Sequence, residues 1–208
     1  MEVTKEDAGV ALADISRVSK SAERRVFLKG ADAIYMVWGA VWMAGFTLQQ
    51  FFGGRWVAFG QNRVPAECVV WWPLSLLGII ATLVVFKRRV AVRVEGGWRV
   101  GALWGVMFAY FYVYAFLVLP LVEEQVLYSA AGLRRMTAAI SIVPMLVYVV
   151  MGLWGYGNYM IWLGLGVTAA TIVGLLAAPS YFYLWLAIFG GGALFATGLV
   201  ARRQWAKT

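Results

Sequence analysis

The run Ala31–Phe52, ADAIYMVWGAVWMAGFTLQQFF, constrains this chain more than any other stretch. Its only charged side chain is Asp32, in the first turn. As a helix of about 20 residues at ~1.5 Å rise it spans a hydrocarbon core of roughly 30 Å. Runs of the same kind recur at Val69–Phe86, Gly101–Val122, Thr137–Trp154, Tyr159–Ala178 and Tyr181–Val200. Only 13% of the 208 residues are charged, against about 25% in soluble domains. That is too little charge to cover a water-facing surface, so the expected solvent for most of the chain is a bilayer.

The fold class expected is an all-α integral membrane protein, a six-transmembrane-helix bundle over residues 31–208 with a short basic tail. A cytoplasmic amphipathic helix over residues 1–30 precedes it. Within that segment Thr4 caps a helix with Asp7 three positions on. Ala8, Ala11, Leu12, Ile15, Val18, Ala22 and Val26 recur at three- and four-residue intervals. Such a helix either lies on a membrane surface or docks another protein. Gly30 supplies the bend into the first span.

Charge placement fixes the expected orientation. The net charge is +8, which in a soluble protein would point to nucleic acid; here the basic residues are confined to a few connections. Lys5, Arg17, Lys20, Arg24, Arg25 and Lys29 precede the first span. Lys87, Arg88, Arg89, Arg93 and Arg99 lie between the second and third, and Arg202, Arg203 and Lys207 form the tail. The other side receives only Arg55, Arg63, Arg134 and Arg135. Six spans with both termini cytoplasmic satisfy the positive-inside rule, and an odd number does not. The two larger outer loops are Gly53–Cys68 and Glu123–Met136, the second setting Glu123 and Glu124 against Arg134 and Arg135.

Catalytic chemistry has little to work with. The chain has no histidine and one cysteine, Cys68, so the commonest general base and metal ligand are missing and no intrachain disulfide can form. No Asp, Glu, Lys or Arg falls inside an expected span except Asp32, whose place in the first turn suits the helix dipole. Proton relays and ion-coupled transporters place such groups at depth. No catalytic residue, metal or cofactor is implied, and an enzyme is not expected.

Aromatic and small residues carry the remaining signal. Trp56, Trp71, Trp72, Trp98, Trp104, Trp154, Trp162, Trp185 and Trp205 fall where an interfacial belt belongs. Trp38 and Trp42 lie deeper, on a face that continues through Gly45 to Gln49, and an indole N–H in hydrocarbon needs an acceptor. In the third span Trp104, Phe108, Tyr112 and Phe116 share one face, and Tyr110 and Tyr114 another. Two readings compete. Trp38, Trp42, Tyr110, Tyr112 and Tyr114 line a cavity for an apolar or weakly cationic ligand, using ring faces for cation–π attraction, or they fill core space. Gly166, Ala170, Gly174 and Ala178 recur every four residues in the fifth span and let another backbone approach closely. The sixth span, with Gly190, Gly191 and Gly192, is the expected partner, joined by only Pro179 and Ser180; a homo-oligomer is the alternative. Pro73 suits the first turn of the second span, and Pro144 is a mid-span proline. Tyr35-Met36-Val37-Trp38 is echoed by Tyr159-Met160-Ile161-Trp162, a faint internal repeat.

Ala13-Asp14-Ile15, Arg24-Arg25 and then Tyr35-x-x-Trp38-Gly39-x-x-Trp42-x-x-Gly45-Phe46 together resemble the opening of small bacterial multi-pass membrane proteins. The resemblance covers about the first quarter of the chain. It implies a prokaryotic cytoplasmic membrane and transfers no functional residue. The function expected is therefore a non-catalytic interaction or accessory subunit of a membrane complex, surrounded by membrane lipids. It would dock a protein partner through residues 4–29 and the 87–99 loop and would not bind nucleic acid. The alternative is a small transporter or ligand-binding protein for apolar or weakly cationic solutes.

Overall fold

A computed structural model describes residues 9–12, 14–15, 30–59, 62–89, 102–107, 129–156 and 158–205. The described chain is all-α apart from one short hairpin, and five of its helices are long and apolar enough to cross a membrane. The first, α1 (Ala31–Phe52), has the bounds read from the sequence. Gly30 precedes it at φ 114°, a left-handed conformation that turns the chain into the span.

After α1 the chain forms an antiparallel hairpin, β1 (Trp56–Phe59) and β2 (Asn62–Pro65), with Trp56 paired to Pro65 and Phe59 to Asn62. This pairing lies within the stretch Gly53–Cys68 expected as an outer loop. Helix α2 (Ala66–Arg89) starts directly from the hairpin, as Ala66 N donates to Arg55 O at 2.9 Å across its base. The helix therefore begins earlier than expected, and Pro73 lies inside it instead of in its first turn. Pro73 supplies no N–H to the carbonyl one turn back.

Helix α3 (Ala130–Met151) also starts a full turn and more before the expected Thr137. Ser129 caps it, its hydroxyl accepting from Gly132 N at 3.0 Å. Arg134 and Arg135 are thus helical residues in the opening turns of α3, not loop residues. Pro144 is inside α3, as expected, and the helix runs on into a π-helical turn, Gly152–Tyr156. Helix α4 (Asn158–Ala177) follows. Pro179–Tyr181 then makes one 3-10 turn that reverses the chain. The fifth candidate span, Pro179–Arg203, is built from α5 (Phe182–Trp185), a π-helical stretch Leu186–Gly191 and α6 (Gly192–Trp205).

Two packed pairs organise these spans. Helix α1 lies along α6 and the preceding π stretch, with α2 on its other side, while α3 and α4 form an antiparallel pair. Glycines set the close approaches. A β-carbon on Gly39 would sit 2.5 Å from Phe195 N and 2.8 Å from Gly191 O; one on Gly198 would sit 2.6 Å from Asp32 O. Gly164 likewise lies against α3, 2.5 Å from Met145 O by the same measure. Backbone contact at this range replaces the hydrophobic drive that lipid cannot supply between helices. Phe182, Leu186, Met145, Met160, Leu194, Val167 and Thr171 are essentially fully buried at the centre.

Residues 9–12 and 14–15 are helical and exposed, and residues 102–107 are helical with Met107 buried. The rest of the expected amino-terminal helix, the rest of the Gly101–Val122 span, and the 87–99 loop past Arg89 lie outside the described residues.

Candidate functional site

The deep tryptophans of α1 pack in two different directions. Trp38 turns to α2, where its ring covers Gly78 and its Nε1 donates to Thr82 Oγ1 at 3.1 Å; that hydroxyl donates in turn to Gly78 O at 2.8 Å. The indole therefore has the acceptor that hydrocarbon would deny it. Trp42 is buried and turns to the last span, its ring against Gly190 and edge-on to Phe46 at 5.4 Å between centroids. Phe46 meets Trp71 edge-on at 4.8 Å. The two side chains thus fill space between separate helix pairs and do not face each other across a shared opening. Tyr110, Tyr112 and Tyr114 lie outside the described residues.

The four-residue ladder of α4 is divided by the structure. Gly166 faces open space, and Gly174 has the Trp185 indole against it. Ala170 O accepts from Trp185 Nε1 at 2.8 Å, and Ala178, just past the helix, has its N bonded to Gly174 O at 3.1 Å. At Ala170 and Gly174 the ladder therefore receives the Trp185 side chain, which comes from the last span. Gly190 and Gly191 are buried within the π stretch, where Gly191 meets α1 at Met43 N, while Gly192 has only Ala187 O within 4 Å. Gly39 and Gly164 bring backbones together; sequence reading names Gly39 only as part of the first-span motif and does not name Gly164. Their only signal is position within an apolar span.

Polar groups gather at the end of the bundle that holds the α1 carboxyl terminus. Gln49, 4% exposed, accepts from Trp71 Nε1 at 2.9 Å through Oε1. Trp71 is therefore a packed, hydrogen-bonded strut between α1 and α2. Glu67 Oε1 accepts from Gly54 N at 2.6 Å, which fixes the turn after α1. Gln50 Nε2 donates to Ser180 O at 3.0 Å, tying the same helix end to the 3-10 turn. Tyr183 reaches in from α5 and hydrogen-bonds with the side chains of Thr137 and Gln49, within the electrostatic reach of Glu67 and Arg134. Four of the five candidate spans meet here. The consecutive glutamines ending an otherwise apolar span were the sequence signal for it.

Aromatic rings close the opposite end. Tyr35 stacks at a tilt on Tyr148, 5.5 Å between centroids, and meets Tyr159 edge-on at 6.3 Å; Trp104 meets Tyr148 edge-on at 5.9 Å. The Tyr35 and Tyr159 side chains also share a hydrogen bond. The echoed Tyr-Met-x-Trp segments therefore touch at their first residues. Among the described residues, no three His, Cys, Asp or Glu side chains gather into a metal-binding group.

The arrangement pins helices to each other at both ends. Its chemistry is hydrogen bonding, ring packing and a small set of charges at one rim. Comparison of the chain with protein-family models, with curated proteins and with solved structures returned no match.

Proposed function

We propose that this chain is a non-catalytic multi-pass protein of a prokaryotic cytoplasmic membrane that works as an accessory or interaction subunit of a membrane complex. In this reading it crosses the bilayer six times, with both termini cytoplasmic. Its amphipathic residues 4–29 and the basic 87–99 loop form the docking surface for a partner.

The observation that carries the reading is the packing of Trp38 and Trp42. The ligand-binding alternative counts both among its cavity-lining residues, yet Trp38 is fixed to Gly78 and Thr82, and Trp42 to Gly190 and Phe46. A cavity built from these rings would leave their indoles short of these partners. On α2, Trp72, Leu76, Leu77, Ile80 and Leu83 are all exposed. That face suits lipid or a neighbouring helix.

Purification of the natively expressed chain from its own membrane, with cross-linking before solubilisation, tests the proposal. A stoichiometric partner whose capture is lost when Arg88, Arg89 and Arg93 are changed to Gln is the expected result. Recovery of an isolated chain whose thermal stability rises with an organic cation would overturn it in favour of a ligand-binding protein.

A further inference from the structure

The last candidate span changes neighbours part-way along its length. In its first part the Trp185 ring lies against Gly174 and its Nε1 donates to Ala170 O at 2.8 Å, which fixes α5 to α4. In its second part Gly191, Phe195 and Gly198 lie against the α1 backbone at Met43, Gly39 and Asp32. The π-helical stretch Leu186–Gly191 joins the two parts. Leu186 N still bonds to Phe182 O four residues back, whereas Gly192 N bonds to Ala187 O five residues back. The stretch therefore holds one residue more than an α-helical turn would.

Both parts turn a buried face to the same bundle. Phe182 and Leu186 are fully buried in the first, and Leu194 and Gly198 are buried in the second. An uninterrupted α-helix, at about 100° per residue, would set Leu194 and Gly198 on average roughly 120° round the axis from Phe182 and Leu186. Leaving one residue out of the count reduces that angle to roughly 20°. The wide turn absorbs the extra residue on its outward side, where Ile188 is 63% and Phe189 46% exposed. Gly190, Gly191 and Gly192 follow at once, three residues that hold a helix weakly. We propose that the π stretch is a one-residue insertion that works as a joint: it brings the two parts of the span into register with α4 and α1 together, and it is the point at which they can turn relative to each other. The proposal rests on the packing of this span alone, so neither a partner protein nor the count of crossings enters it.

Deletions in the full chain, purified in detergent, test the register. Removing Ile188, or separately Phe189, takes out the extra residue and lets the stretch close into an α-helix with both buried faces kept. At least one of these two chains is expected to melt as high as the unaltered chain or higher. Removing Ala196, an exposed residue of α6, turns Gly198 from α1 by about 100° and is expected to lower the melting temperature by several degrees. Gly198→Ala then reports the facing directly. The melting temperature it costs the unaltered chain is expected again in the tolerated deletion, and to be largely lost in the Ala196 deletion. Hydrogen exchange tests the joint. Amides of residues 186–192 are expected to exchange roughly tenfold faster than those of 193–199 in the unaltered chain, and to slow to the same rate once the extra residue is removed. Ile188 and Phe189 deletions that both melt as low as the Ala196 deletion, or a Gly198→Ala loss that disappears in the tolerated deletion, would show that the stretch is not an insertion. Equal exchange across 186–199 in the unaltered chain would show that it is not a joint. Any of these results overturns the proposal.

Discussion

Trp71 Nε1 donates to Gln49 Oε1 at 2.9 Å, joining the start of α2 to the end of α1 through two side chains that would each be costly alone in an apolar setting. The pair satisfies both, and Phe46 packs edge-on against the same indole. Gln49→Leu leaves the Trp71 N–H without its acceptor and should cost about 1–3 kcal/mol. Adding Trp71→Phe should recover part of that loss, because the stranded donor is removed with it. Thermal unfolding of the two single variants and the double variant in one detergent checks the coupling, expected at roughly 0.5–1.5 kcal/mol. Strict additivity would mean the bond contributes nothing.

Glycines that look alike in sequence should behave very differently. A methyl group on Gly39 or Gly198 would press into the backbone of a neighbouring helix, at Phe195 N in one case and Asp32 O in the other. Neither obstacle is a flexible side-chain end that can swing away. Gly39→Ala and Gly198→Ala should each destabilise by about 1–3 kcal/mol through overpacking. Gly166→Ala meets nothing within 4 Å and gains helix propensity of up to about 1 kcal/mol. Melting temperatures of the three variants, measured side by side, should fall, fall and hold or rise.

These contrasts show where sequence reading succeeds. Span length and apolarity are local properties, so α1 was legible to its last residue and α4 to within one residue at each end. Helix starts at Ala66 and Ala130 were missed because a hairpin base and a Ser129 cap begin those helices outside the apolar run. Partner choice was legible only in part. The four-residue spacing of Gly166, Ala170, Gly174 and Ala178 reports a smooth strip on α4 but not what lies on it, and the answer is the Trp185 indole on part of it. That Trp71 would meet Gln49 was not readable, because position along a span says nothing about which side of the helix faces a glutamine on another. The acceptor requirement of Trp38 was readable, since it follows from the indole alone; that Thr82 would meet it was not.

Trp38 and Trp42 should separate by chemistry when substituted. Trp38→Phe keeps a ring over Gly78 but loses the hydrogen bond to Thr82, at an expected cost of about 0.5–1.5 kcal/mol. Trp42→Ala empties a buried site between Phe46 and Gly190 and should cost about 3–5 kcal/mol. Unfolding in detergent reads both. Were the two tryptophans ligand contacts instead of packing elements, Trp42→Ala would leave stability nearly unchanged and alter only a ligand response.

Orientation in the membrane can be tested with single cysteines, because Cys68 is the only native one. In a Cys68→Ala background, Ala58→Cys places a thiol on the exposed hairpin and Thr208→Cys places one at the end of the basic tail. Both substitutions leave net charge unchanged, so the charge bias that sets topology is not disturbed. With Lys and Arg concentrated beside the termini, the hairpin belongs on the outer side and the tail in the cytoplasm. A membrane-impermeant maleimide applied to intact cells should label Ala58→Cys and spare Thr208→Cys until the membrane is permeabilised. The six-span topology puts five crossings between the two thiols, an odd number that sets them on opposite sides of the membrane. The parity of crossings between residues 58 and 208 therefore decides the outcome. With Ala66–Val85, Ala130–Trp154, Asn158–Ala177 and Pro179–Arg203 crossing, the described helices alone give an even number and equal labelling. Opposite labelling therefore requires one more crossing, and the Gly101–Val122 run is the segment that would supply it. Equal labelling of both thiols in intact cells would exclude the six-span topology.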